Sequence, residues 1–130
     1  MNPPAVAPEY SPEVRQRFER APCHGGLSPG SSGRLAGAAG EVRHGARVEF
    51  EARTRDGRVI ECRFRAYGCP HVIAAASWVA EHAQGRAVND LDWLQPRHLA
   101  TLLEAPTHKL GGLLVVEDAY RACVGAQSKA

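Results

Sequence analysis

Four cysteines and six histidines carry most of the ligand and nucleophile chemistry available to this sequence. Cys69 is the most telling, in Tyr67-Gly68-Cys69-Pro70. Apolar alternation before it and helical spacing after it place the thiol where a strand hands over to a helix. Unpaired N–H groups and the helix dipole favour a thiolate there, Gly68 permits close approach, and Pro70 supplies the fixed φ of a first turn. The bland alternative is a small buried hydrophobe at an element boundary. Cys23 stands beside His24 in a Gly-rich stretch, where an exposed Cys-His pair can lend ligands to a metal; an incidental loop thiol is the simpler reading. Cys62 and Cys123 fall on apolar faces and read as core. His44 lies in the loop leading to the first hairpin strand and His71 two residues beyond Cys69, so either can approach that thiol. His82 and His98 read as polar faces of helices. A thiol enzyme needs a third orienting group and an oxyanion loop, and neither has a recognisable pattern, so the chain reads as a non-enzyme.

The elements that position these groups have clear signals. Ser11-Pro12-Glu13 starts a helix with a capping hydroxyl, a first-turn proline and a carboxylate at the positive end of the dipole; Pro22 stops it. From 23 to 45 the sequence turns to Gly, Ala and Ser and reads as mobile loop, with at most a short strand around 34–39. Val48, Phe50 and Ala52 then alternate with charged residues, as do Ile60, Cys62, Phe64 and Ala66 after Asp56-Gly57. Period-two alternation around Asp-Gly predicts an antiparallel hairpin with one wet face. Helices follow at 70–82, 95–103 and 111–124, with a short turn around 91–94. The order predicts an α+β fold, a small antiparallel sheet of about three strands with helices packed on one face. Residues 10–127 read as one domain, with tails at 1–9 and 128–130.

Composition narrows the function. The chain has 130 residues, 44% hydrophobic and 23% charged, which is ordinary globular usage. Its formal charge of +2 and the lack of any basic run give no footprint for nucleic acid. No stretch approaches the roughly 20 apolar residues that cross a bilayer, and the N-terminus lacks signal-peptide character, so a cytoplasmic protein is expected. Without paired cysteine spacing or a CxxC, neither a disulfide framework nor a local zinc knuckle is read.

Taken together, several segments resemble the NifU N-terminal, or IscU-type, family of iron–sulfur cluster scaffolds. They are Tyr10-Ser11-Pro12-Glu13-Val14 with Phe18-Glu19, then Gly57 through Phe64-Arg65-Ala66-Tyr67-Gly68-Cys69, then Ala74-Ala75-Ala76-Ser77, and finally Lys109 with Glu117-Asp118-Ala119. The resemblance covers nearly everything from Tyr10 to Gln127. It implies a cluster assembled on three cysteines helped by an aspartate and a histidine. Cys69 matches the second cysteine. The first, normally in a Cys-Gly-Asp before the hairpin, has no counterpart. A gapped alignment puts Glu41 in the place of the aspartate; an ungapped one puts Gly45 there and Arg43 in the place of the cysteine. The final His-Cys pair falls on Gly111-Gly112. The chaperone-recognition stretch reads Ala105-Pro106-Thr107-His108-Lys109, keeping one proline and the lysine.

A cluster needs about four protein ligands, which one cysteine cannot supply. Glu41, His44, Cys23 and His24 are the candidates to rebuild a set, all from one loose segment that has to be ordered at entropic cost. The expectation is therefore a scaffold-like protein of cluster assembly that binds iron, zinc or a cluster, if at all, through Cys69 with Glu41 and His44, and Cys23 and His24 as auxiliaries. Its expected partner is a cysteine desulfurase or another assembly factor, docked through Pro106 and Lys109, with the chain a monomer or weak dimer. A metal-free adaptor is the alternative reading, and a Cys69 thiol enzyme or sulfur carrier a further one.

Overall fold

The Asp56-Gly57 turn organises the sheet. Both residues take positive φ, 54° and 75°, as a two-residue hairpin turn requires. In a computed structural model of the chain, which describes residues 10–29 and 33–128, this turn joins β2 (Ala46–Arg55) to β3 (Arg58–Tyr67). The register sets Phe50 opposite Phe64 and Ala52 opposite Cys62. A third antiparallel strand, β1 (Arg34–Glu41), pairs with β2 to give the order β1-β2-β3. The expected tail at 1–9 lies outside the described residues, as do 129 and 130.

Two expectations need correction. The stretch 23–45 is not one loose loop. The short strand expected around 34–39 is present as the longer, eight-residue β1, followed by a 3-10 turn, Val42–His44, and residues 23–25 are tied to β3. Phe64 N–H donates to Cys23 O and Gly25 N–H donates to Phe64 O, so residues 23–25 cover part of the outer edge of β3. Small residues hide this strand from a pattern search because there is no apolar alternation to read. Close packing explains them: a Cβ on Gly37 would lie 2.2 Å from the backbone nitrogen of Cys123. Second, Ile60 is not on the dry face. The pairing slips between Arg53 and Thr54, so Ile60 bulges outward at 43% exposure while Val59 is fully buried.

Among the described residues, four α-helices complete the fold: α1 (Pro12–Arg20), α2 (Pro70–Ala83), α3 (Pro96–Leu103) and α4 (Leu110–Ser128), the last reaching one residue into the expected tail. Three begin with proline at the first turn, and Ser11 caps α1 by accepting from Val14 N–H. α4 packs on β1 and β2, and α2 on β3. The core joins Val48, Phe50, Cys62 and Phe64 to Val79 on α2 and to Leu113, Val116, Tyr120 and Cys123 on α4. Phe50 meets Tyr120 edge-on at 5.7 Å; burying such a ring stabilises by about 1.5–3 kcal/mol. Among the described residues, no helix is long and apolar enough to cross a membrane.

Candidate functional site

One end of the sheet converges on Cys69. β3 stops at Tyr67 because the chain must leave the sheet to enter α2. Gly68 makes the corner, where a Cβ would stand 3.0 Å from Val72. Cys69 is the N-cap of α2, with extended backbone (φ −72°, ψ 170°) and Pro70 next. Its carbonyl accepts from the N–H groups of Val72 and Ile73 at 3.0 and 3.2 Å, while its side chain makes no capping hydrogen bond. The half-buried thiol lines a cavity of about 630 Å³.

Three walls enclose that cavity. Cys69 and Val72 form the first. The end of β1 and the 3-10 turn form the second, with Gly40, Glu41, His44, Gly45 and Ala46. Gly40 must be glycine: its φ is +86°, and a Cβ would lie 2.2 Å from the carbonyl oxygen of Ala46. The third wall is His108 and Lys109 from a second 3-10 turn (Thr107–Lys109), with Gly111, Gly112 and Val115 on α4. Gly111 faces open space, whereas a Cβ on Gly112 would come within 2.8 Å of Val72 Cγ2.

The candidate ligands are thereby sorted. Cys69, Glu41 and His44 share the cavity, joined by Lys109. Glu41 is exposed and held by Arg43 Nε at 2.7 Å, with His44 Nδ1 at 3.9 Å. Cys23 and His24 are elsewhere. Cys23 is half-buried rather than exposed, with Gln84 Nε2 at 3.7 Å from its sulfur, and burial pushes its thiol pKa up. His24 rests edge-on against Phe64 at 5.4 Å. His71 is packed against Tyr10 at 4.8 Å and buried, with no partner for Nδ1 among the described residues. Burial first, and then the charges of Lys109 and His108, hold its imidazole below the usual histidine range. Pro106 is exposed at the start of the second 3-10 turn. Among the described residues, no three His, Cys, Asp or Glu side chains gather to hold a metal ion.

The sequence reading missed His108 and Val72 as parts of the site. Adjacency to Lys109 was the available signal for His108. For Val72 there was none, since its role comes from facing Gly112 across two helices.

Cys69 offers one thiol donor for a thiophilic metal, while Glu41 and His44 line the same cavity without forming a three-donor group with it among the described residues. It meets part of a cluster's requirement of about four donors. Comparisons with known proteins bear on the family and the fold. The model of the family described as "NifU-like N terminal domain" matches residues 9–129. The iron–sulfur cluster assembly scaffold protein IscU of Escherichia coli (strain K12) is 27% identical over 116 residues, covering 88% of this chain and 91% of that protein. Iron-sulfur cluster assembly protein 3 of Arabidopsis thaliana is 25% identical over 122 residues, 93% of this chain and 71% of the relative. Among solved structures, the N-terminal part of a NifU-like protein from Brucella abortus gives a TM-score of 0.69 at 17% identity, covering 92% of this chain and 95% of that one. A SUF-system scaffold protein from Fervidobacterium islandicum gives 0.68 at 12%, covering 88% and 96%. At those identities the structural likeness speaks for the fold.

Proposed function

This chain belongs to the family of NifU-like N-terminal domains, and from that premise we propose that it is an iron–sulfur cluster assembly scaffold with a reduced ligand set. Iron, zinc or a cluster is its cargo rather than a resident cofactor. Cys69 is the anchoring thiolate, Glu41 and His44 are supporting donors, and the remaining donors come from outside the chain. The protein works without enzymatic activity of its own, in the cytoplasm, as a monomer or weak dimer. Its partner is a cysteine desulfurase or a similar assembly factor, docking over the cavity mouth near Lys109 and Pro106. One observation carries this reading: separate elements bring Cys69, Glu41, His44 and Lys109 to a single cavity in a chain of this family.

The test is anaerobic reconstitution with iron and sulfide, read by visible absorption and by metal per protein, in wild type and Cys69→Ser. Stoichiometric colour lost in the variant supports the scaffold. A second reading, a metal-free adaptor, is favoured by the lack of any three-donor group among the described residues. It expects no bound metal in either protein and equal desulfurase capture by both.

A further inference from the structure

Building on the scaffold reading, we propose that the cavity is a binding site for a small anionic thiol, whose sulfur stands beside Cys69 and supplies a donor that the chain lacks. Its size is the first argument. About 630 Å³ is far more than a bare ion needs and falls within the roughly 300–1,000 Å³ of small-molecule sites. Charge is the second. His44, His108 and Lys109 enter the cavity from two different turns. Among the described residues, neither His108 nor Lys109 has a carboxylate within ion-pair distance. Glu41, the one carboxylate on the wall, is held by Arg43. Behind this rim lies His71, buried and with its Nδ1 unpartnered, close enough to feel the charges of Lys109 and His108. On the wall, Glu41 is thus set against Lys109, His44 and His108.

Backbone arrangement adds to this. α2 begins at Cys69 and turns its positive end to the cavity, whereas the 3-10 turn carrying His108 and Lys109 runs straight into α4, with Leu110 N–H donating to Thr107 O. At Gly111 no side chain covers the α4 end, and Gly40 and Gly45 keep the opposite wall low. The need for donors selects a thiol among anions. Among the described residues, Cys69 is the single cysteine on the cavity wall, and no three metal-binding side chains gather. A second sulfur, brought by a small molecule with carboxylates for the cationic rim, fits both the charge and the deficit.

Thiol–disulfide exchange on the metal-free full chain tests the charge selection. The Cys69 thiolate attacks one sulfur of RS–SR, forms Cys69–S–SR and releases RS⁻, so electrons balance without another reactant. Rates at Cys69 are followed by mass spectrometry with anionic glutathione disulfide and with cationic cystamine. The expected anionic-to-cationic rate ratio exceeds that of the urea-unfolded chain by about tenfold, falls about fivefold in Lys109→Ala, and collapses in 1 M salt. A ratio equal to that of the unfolded chain, or unchanged in Lys109→Ala, overturns the proposal. Reconstitution with iron and sulfide is then run with glutathione, with the same tripeptide carrying alanine for cysteine, and with neither. Iron that carries bound glutathione, and that resists a chelator more strongly than iron taken up with the alanine tripeptide or with neither, is the expected result. Equal resistance without glutathione overturns the proposal and leaves the scaffold reading standing. Charge-selective exchange with no iron retained under any condition sinks the thiol-donor step and counts against the scaffold reading itself.

Discussion

Replacing Gly111 and Gly112 by alanine, one at a time, should move stability in opposite directions. Both lie in the first turn of α4 with ordinary negative φ, so alanine at either gains helix propensity, about 0.5–1 kcal/mol relative to glycine. At Gly111 the new methyl meets nothing within 4 Å, and the full gain should appear as a rise in Tm of roughly 2–4 °C. At Gly112 it would lie 2.8 Å from Val72 Cγ2. Val72 is 4% exposed and already faces Gly68 across the corner, so it has little room to yield. Overpacking of this kind costs about 1–3 kcal/mol, which exceeds the propensity gain and leaves Gly112→Ala destabilised by roughly 0.5–2 kcal/mol. Urea unfolding of both variants, and of Gly112→Ala combined with Val72→Ala, measures this. The double variant should show a coupling of about 1 kcal/mol or more, because Val72→Ala removes the clash. Equal stabilisation by both alanines, or purely additive behaviour of the pair, would refute the argument that Val72 closes the cavity floor.

Other outcomes follow from the same packing. Tyr120 is fully buried and its hydroxyl has no partner among the described residues, so Tyr120→Phe should be neutral or stabilising by up to about 1 kcal/mol in thermal unfolding. Gly37→Ala should lower stability by about 2–4 kcal/mol, since its methyl would press on the α4 backbone at Cys123, which no rotamer change can relieve; a loss below about 0.5 kcal/mol would contradict the β1–α4 contact. The carboxyls of Glu51 and Glu61 sit below the ordinary value of 4.5, held chiefly by the Arg34 guanidinium and by the Ser28 N–H respectively. Their folded pKa is depressed, so their contribution is present above the ordinary carboxylate range and is lost as pH falls through the folded values. The urea midpoint should therefore drop as pH falls below about 4.5, more shallowly in Glu61→Gln. His71 works in the same direction at higher pH. Its folded pKa is lowered by burial, so stability should decline as pH falls below the ordinary 6.5, a slope that His71→Phe should remove.

Legibility followed the range of the interaction that fixed each feature. The Asp56-Gly57 hairpin and the Ser- and Pro-marked helix starts are decided within a few residues, and they could be read directly. β1 was legible only as a short strand around 34–39, because Gly37 and its neighbours are small to fit under α4, and that demand is written on α4 rather than on β1. Ile60 misled because period-two alternation runs unbroken through it, while the slip against Arg53 and Thr54 reverses which neighbour faces the core. Cys69 stood out from position alone, at a strand-to-helix corner. Its meeting with Glu41, His44 and Lys109 depends on contacts between elements 25 to 40 residues apart, and the family resemblance pointed to it where local pattern did not. Cys23 and His24 shared a composition with the loop before the hairpin but not a location, because hydrogen bonds to Phe64 hold them along β3.

The central claim, that Cys69 anchors cargo in this cavity, is tested most directly by enzyme-driven assembly. A cysteine desulfurase, cysteine and ferrous iron are supplied anaerobically, and the iron and acid-labile sulfide remaining on the chain after gel filtration are counted. The account predicts retention by wild type and by Cys23→Ser and its loss in Cys69→Ser. Retention by Cys69→Ser at the wild-type level would contradict it.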